Sequence, residues 1–170
     1  MDNKIFLIGF MGSGKSTVGR KLAKALGYEL IDLDKMFELK EEISISDYFQ
    51  KYGEITFRKR ESELLQSINY PEKVVVATGG GTPCFFGNME WMNTHGMTVY
   101  LAMEPSVLLN RLKNGKGTRP AIKNMNEDEL RDFIINTLSA RQCYYAKAKL
   151  MVSGLDLTAE KLIDYLQMTN

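Results

Sequence analysis

Apolar and polar positions along this chain follow two rhythms in turn. Short apolar runs, such as Ile5-Phe6-Leu7-Ile8, Val74-Val75-Val76-Ala77 and Val99-Tyr100-Leu101, are continuous and rich in β-prone residues, so they read as buried strands. Tyr28-Glu29-Leu30-Ile31 and Leu150-Met151-Val152 complete five predicted strands. Between them apolar residues recur at helical spacing: Val18, Leu22 and Leu26, then Phe57, Leu64, Leu65 and Ile68, then Leu130, Phe133, Ile134 and Leu138. Helices are predicted over residues 15–26, 34–40, 46–52, 54–68 and 105–113, with a long one after Asn126 and a closing one from Thr158 to about residue 167. Gly27 and Gly53 stop two of them, and Glu127, Asp128 and Glu129 suit the first turn behind an Asn126 cap. Regular alternation of strand and helix predicts an α/β fold with a parallel sheet.

One stretch breaks the rhythm. Residues 111–126 carry Arg111, Lys113, Lys116, Arg119 and Lys123 with no acidic residue, and Gly115, Gly117 and Pro120 oppose a helix there. A solvated basic loop explains it, and so does a hinged cationic lid that closes over phosphates. The chain shows no repeat, low-complexity tract or linker, and its 170 residues read as a single domain, 1–170.

Composition narrows the picture mostly by exclusion. With 44% hydrophobic and 25% charged residues the chain reads as globular, and a net charge of +1 gives no support for nucleic-acid binding. No apolar run approaches the roughly 20 residues of a membrane span, and no signal peptide is recognised, so a cytoplasmic location is expected. The two cysteines, Cys84 and Cys143, lack zinc spacing and read as reduced structural thiols; the lone His95 reads as a surface or loop residue.

The candidate chemistry begins at residues 9–17, GFMGSGKST, which match G-x-x-x-x-G-K-[ST] between a predicted strand and a predicted helix. Such a turn aims backbone N–H groups and a helix N-terminus at one point. Gly12, Ser13, Gly14, Lys15, Ser16 and Thr17 therefore read as a triphosphate site, Lys15 as a charge for the β- and γ-phosphates, and Ser16 as a Mg²⁺ ligand. Asp32-Leu33-Asp34 ends the second strand, and period-two geometry puts both carboxylates on one side. One could sit near Mg²⁺ and the other accept a proton from a substrate hydroxyl. The structural alternative has Asp34 capping the next helix and Asp32 solvated. Thr78-Gly79-Gly80-Gly81 leaves a strand at the same sheet edge and lets a ligand approach the backbone. Arg58 has Glu54 and Glu61 at helical spacing, so intrahelical pairs account for it; at the edge of the apolar stripe it could also present its fork to a carboxylate. Arg141 falls on the apolar stripe of its helix, with Leu138 and Tyr145 on either side, so something anionic should meet it, an internal carboxylate or a bound substrate.

Taken together, GFMGSGKST, DLD at 32–34, FRKRE at 57–61, TGGG at 78–81, TRP at 118–120 and RQCYYAKA at 141–148 resemble the shikimate kinase family, and the resemblance spans essentially the whole chain. It implies a three-layer αβα fold with a five-stranded parallel sheet of nucleoside-monophosphate-kinase type, a substrate-binding helical region at about 34–61 and a mobile lid at about 112–126. It implies transfer of the γ-phosphoryl group of ATP, with Mg²⁺, to the 3-hydroxyl of shikimate in chorismate and aromatic amino-acid biosynthesis, by a monomer with no nucleic-acid or membrane partner. By the same resemblance Asp34, Arg58, Arg141 and the glycines Gly79, Gly80 and Gly81 bind shikimate, and Lys15, Asp34 and Arg119 carry the reaction. Arg111 and Arg119 contact ATP, with Arg111 at the adenine, and Ser16 and Asp32 serve the metal. The proline that the family often carries near the adenine is missing from residues 153–157. A sugar-acid kinase such as a gluconate kinase shares the phosphate loop and the need for arginines, but DLD, FRKRE and TGGG favour shikimate. A guanine-nucleotide switch lacks its N-K-x-D string here, and a non-catalytic binding protein would not need Lys15, Asp34 and Arg119 together.

Overall fold

The computed structural model describes residues 3–115 and 120–169. Five parallel strands form one sheet in the order β2-β3-β1-β4-β5: β1 Lys4–Ile8, β2 Glu29–Asp32, β3 Val74–Ala77, β4 Met97–Ala102 and β5 Leu150–Ser153. Helices α1 Lys15–Leu26, α2 Leu33–Glu41, α3 Ile45–Tyr52, α4 Glu54–Ser67, α5 Asn88–His95, α6 Pro105–Asn114, α7 Glu127–Tyr145 and α8 Ala159–Met168 cover its faces. Alternation along β1 sorts the core. Ile5 and Leu7 pack with Leu22 of α1 and Leu162 of α8, whereas Phe6 and Ile8 pack under Leu65 of α4, Met89 of α5 and Tyr145 of α7. All four are fully buried, as expected for strands covered on both faces.

Register then places the site. Parallel pairing of β1 with β3 and of β3 with β2 brings Leu7, Ala77 and Asp32 to one edge, so the loops after β1, β2 and β3 meet beyond the carboxyl ends of the strands. Three local expectations change. Strand β2 stops at Asp32 and α2 begins at Leu33, so Asp34 stands on the first helical turn and period-two geometry does not relate the two carboxylates. The cap of α2 is Asp32, which accepts from the Lys35 N–H at 3.3 Å, and not Asp34. Helix α5 was not expected. It starts at a left-handed Gly87 with no side-chain cap and carries only a short apolar face, with Met89 and Met92.

The basic stretch opens as the last turn of α6, where Arg111 and Lys113 complement the helix dipole before Gly115 ends it. A 3₁₀ turn at Pro120–Ile122 follows. Lys116, Gly117 and Arg119 of the expected lid lie outside the described residues. Asn126 makes a full capping box with Glu129, and Thr158 caps α8. Among the described residues no helix is long and apolar enough to cross a membrane.

Candidate active site

A cleft of about 440 Å³ opens at the sheet edge, lined by Gly12, Gly14, Lys15, Ser16 and Thr17 on one side and by Asp34, Thr78, Gly80 and Arg111 on the others. The phosphate loop is held from beneath. Phe10 is buried against Leu108, Leu112 and Ile134 of α6 and α7, and the Ser13 N–H donates to the Phe10 carbonyl at 3.1 Å. Gly14 starts α1 at φ 97°, a conformation that suits glycine. Lys15 is buried, and its Nζ donates to the carbonyls of Gly9 and Phe10 at 2.8 and 2.9 Å. The Ser13 hydroxyl is buried in the loop with no partner among the described residues. From α6, Arg111 Nη1 donates to the Gly12 carbonyl at 3.3 Å and so reaches the loop.

Beside the loop, Ser16 Oγ donates to Asp32 Oδ2 at 2.9 Å. The pair gives two hard oxygen donors where a triphosphate would add more, a set that suits Mg²⁺. Among the described residues no cluster of three or more His, Cys, Asp or Glu side chains forms a protein-only metal cage. Asp34 faces the water of the cleft but sits among dense protein. That burial, then the neighbouring Glu61, pushes its carboxyl up from 3.8 to about 6, while the Lys15 ammonium opposes the rise.

Glu61 is a residue that sequence reasoning took only as an ion-pair partner. It is almost fully buried, accepts from Thr82 Oγ1 at 2.6 Å and pairs with Arg58 Nη1 at 2.9 Å. A Cβ on Gly79 would lie 2.9 Å from both Glu61 Oε1 and Asp34 Oδ1, so the two carboxylates converge on that glycine. Only its helical neighbour Arg58 hinted at this in the sequence; the partner in Thr82 comes from another element.

Arg58 makes the intrahelical pairs of its structural reading. It pairs with Glu54 at 3.4 Å and with Glu61, and its guanidinium also lies among the rings of Phe49, Phe57 and Phe85. Its Cζ comes within 2.6 Å of where a Gly81 Cβ would be, so a side chain at 81 would have to displace the guanidinium. Arg141 differs. It is half-buried over the Phe10 ring at 5.8 Å, and among the described residues no carboxylate is within ion-pairing distance. The internal carboxylate that a structural role for Arg141 requires is not found among them. A Cβ on Gly80 would lie 3.2 Å from Arg141 Nη1 and 3.3 Å from the Met11 backbone N, so Gly80 stands between Arg141 and the phosphate loop.

Other expected residues stand apart. Cys84 is half-buried and Cys143 exposed, both free, so Cys143 is no core thiol. Exposed His95 ends α5, stacked on Trp91 at 4.0 Å. Arg119 lies outside the described residues.

The sequence model of the shikimate kinase family matches residues 11–169. A shikimate kinase of Phocaeicola vulgatus is 43% identical over 160 residues, covering 94% of this chain and 91% of that protein. The crystal structure of shikimate kinase from Bacteroides thetaiotaomicron superposes with a TM-score of 0.90 at 39% identity, covering 97% of this chain and 96% of that one. The Acinetobacter baumannii shikimate kinase, solved in complex with shikimate, gives a TM-score of 0.83 at 34% identity, over 98% and 91% of the two chains.

Proposed function

We infer, for a chain that belongs to the shikimate kinase family, that it transfers the γ-phosphoryl group of ATP to the 3-hydroxyl of shikimate, releasing ADP and shikimate 3-phosphate for chorismate and aromatic amino-acid biosynthesis. The observation that carries the reading is Arg141, a half-buried cation with no carboxylate partner among the described residues, across Gly80 from the phosphate loop. A small carboxylic acid supplies what it lacks.

In this reading the amides of residues 12–17 with Lys15 hold the β- and γ-phosphates, and Arg111 lies along the nucleotide. Lys15 exchanges the Gly9 and Phe10 carbonyls for phosphate oxygens. Ser16, with Asp32 hydrogen-bonded behind it, would hold Mg²⁺, which when bound neutralises phosphate charge. Arg141 and Arg58 take the shikimate carboxylate, and Glu61 holds the Arg58 fork. Asp34 accepts from the ring hydroxyls and orients the 3-hydroxyl toward the γ-phosphorus; a loose transition state asks mainly for this positioning. Arg119 is the residue proposed to stabilise the transferring group from the lid, and residues 34–61 form the acceptor-binding region. We take the protein to act in the cytoplasm as a monomer.

A substrate panel tests this. ADP should form from ATP and Mg²⁺ with shikimate, and at least about 10²-fold more slowly with gluconate or a nucleoside monophosphate, the discrimination expected when buried polar groups go unpaired. Equal turnover with gluconate would overturn the assignment.

A further inference from the structure

The three glycines after β3 have every carbonyl held, and their amides are not paired with the described residues. The Gly79 carbonyl accepts from the Thr82 N–H at 3.3 Å, and the Gly81 carbonyl from the Cys84 N–H at 2.9 Å. The Gly80 carbonyl accepts from Tyr145 Oη at 2.5 Å. None of the N–H groups of Gly79, Gly80 and Gly81 meets a protein acceptor among the described residues. Consecutive glycines cost the most backbone entropy to fix, and the Gly80 bond is the one in this set that reaches across the fold, from the end of α7.

Tyr145 is built for a single orientation. Its side chain is fully buried and its ring stacks on Tyr100, with centroids 4.9 Å apart and planes at 27°. It follows Arg141 by one helical turn, and the guanidinium lies close enough to oppose the rise that burial imposes on the phenol. A trans peptide sets its C=O and N–H antiparallel, so fixing the Gly80 carbonyl on Tyr145 turns the Gly81 N–H the opposite way.

We propose that Tyr145 is a positioning residue for the acceptor half of the site. Its hydroxyl pins the Gly80–Gly81 peptide and so fixes the direction of the Gly81 amide, and it steadies Arg141 one turn away. It does not touch the reacting atoms; it acts through Gly80 and Arg141. For its kinetic consequence the inference rests on the shikimate reading above.

Tyr145→Phe removes the hydroxyl and keeps the stacked ring, so the core should remain packed. In ligand-free ¹⁵N,¹³C-labelled protein, the Gly80 carbonyl and Gly81 amide resonances, which belong to one peptide, should shift, while the amides of residues 12–17 stay unchanged. This arm does not depend on which acceptor the enzyme uses. In steady-state assays the KM for shikimate should rise about tenfold, with the KM for ATP and kcat within twofold of wild type. If wild type does not turn over shikimate, the functional reading fails and the labelled-glycine arm alone decides the role of Tyr145. Unchanged Gly80 carbonyl and Gly81 amide resonances would overturn the proposal. A shikimate KM within twofold, in a wild type that does use shikimate, would overturn it too. So would equal losses for ATP and shikimate, which mark a general packing role.

Discussion

Asp34 pays for its place at the cleft in stability. Its carboxyl is raised from 3.8 to about 6, first by dense surroundings and then by Glu61. Below about pH 4 it is protonated in the folded and unfolded chains alike and contributes no pH dependence. Between about 4 and 6 the folded chain keeps a proton that the unfolded chain has lost, so stability falls as pH rises; above about 6 the whole cost is present. Cleft water screens the charge, so the cost is discounted to about 1 kcal/mol. Asp34→Asn, measured with EDTA present, should therefore raise Tm by about 2–4 °C near pH 8 and by less near pH 4.5, as it removes phosphoryl transfer. A gain that grows toward acid would put the strain elsewhere. Residues such as Lys15 and Ser16 were legible in the sequence because their motif fixes strand, turn and helix locally. Glu61 was not, because its partner Thr82 and its neighbour Asp34 arrive from other elements.

Helix α7 shows how one element serves two ends of the site. Its N-terminus is fixed by the Asn126–Glu129 capping box and by Lys113 of α6, whose Nζ meets Glu127 Oε2 at 2.7 Å. Its C-terminal turns present Arg141 and Tyr145 to Gly80. Asn126→Ala should cost about 1 kcal/mol, lowering Tm by about 2–4 °C, with both KM values within twofold of wild type. A raised shikimate KM would mean that the cap also sets the distant arginine. The acidic run after Asn126 made this start readable from sequence. The start of α5 was not, since Gly87 enters left-handed without a capping side chain. Yet α5 matters to the site: buried Asn88 donates to the Thr82 carbonyl at 2.9 Å and accepts from Ser62 of α4 at 2.7 Å, tying the glycine loop to the helix that carries Arg58.

Across the whole molecule, strand order turns scattered motifs into one site. Placing β1 between β3 and β4, with β2 beyond β3, gathers the phosphate loop, Asp32 and Asp34, and the glycine loop at one edge, and α7 brings Arg141 over it. The α/β alternation was visible in the hydrophobic pattern, but the order of strands was not, because β1, β3 and β4 are buried on both faces alike and nothing in their residues ranks them. For the same reason the pattern located Arg141 on an apolar stripe without naming its partner. The central claim is that this partner is the acceptor's carboxylate. It is tested most directly by a cycle of kcat/KM values, for wild type and Arg141→Ala, with shikimate and with shikimate methyl ester. If the arginine meets the carboxylate, each single change should cost about 10²-fold and the two together little more than either alone. Losses that multiply would place the carboxylate away from Arg141 and contradict the account.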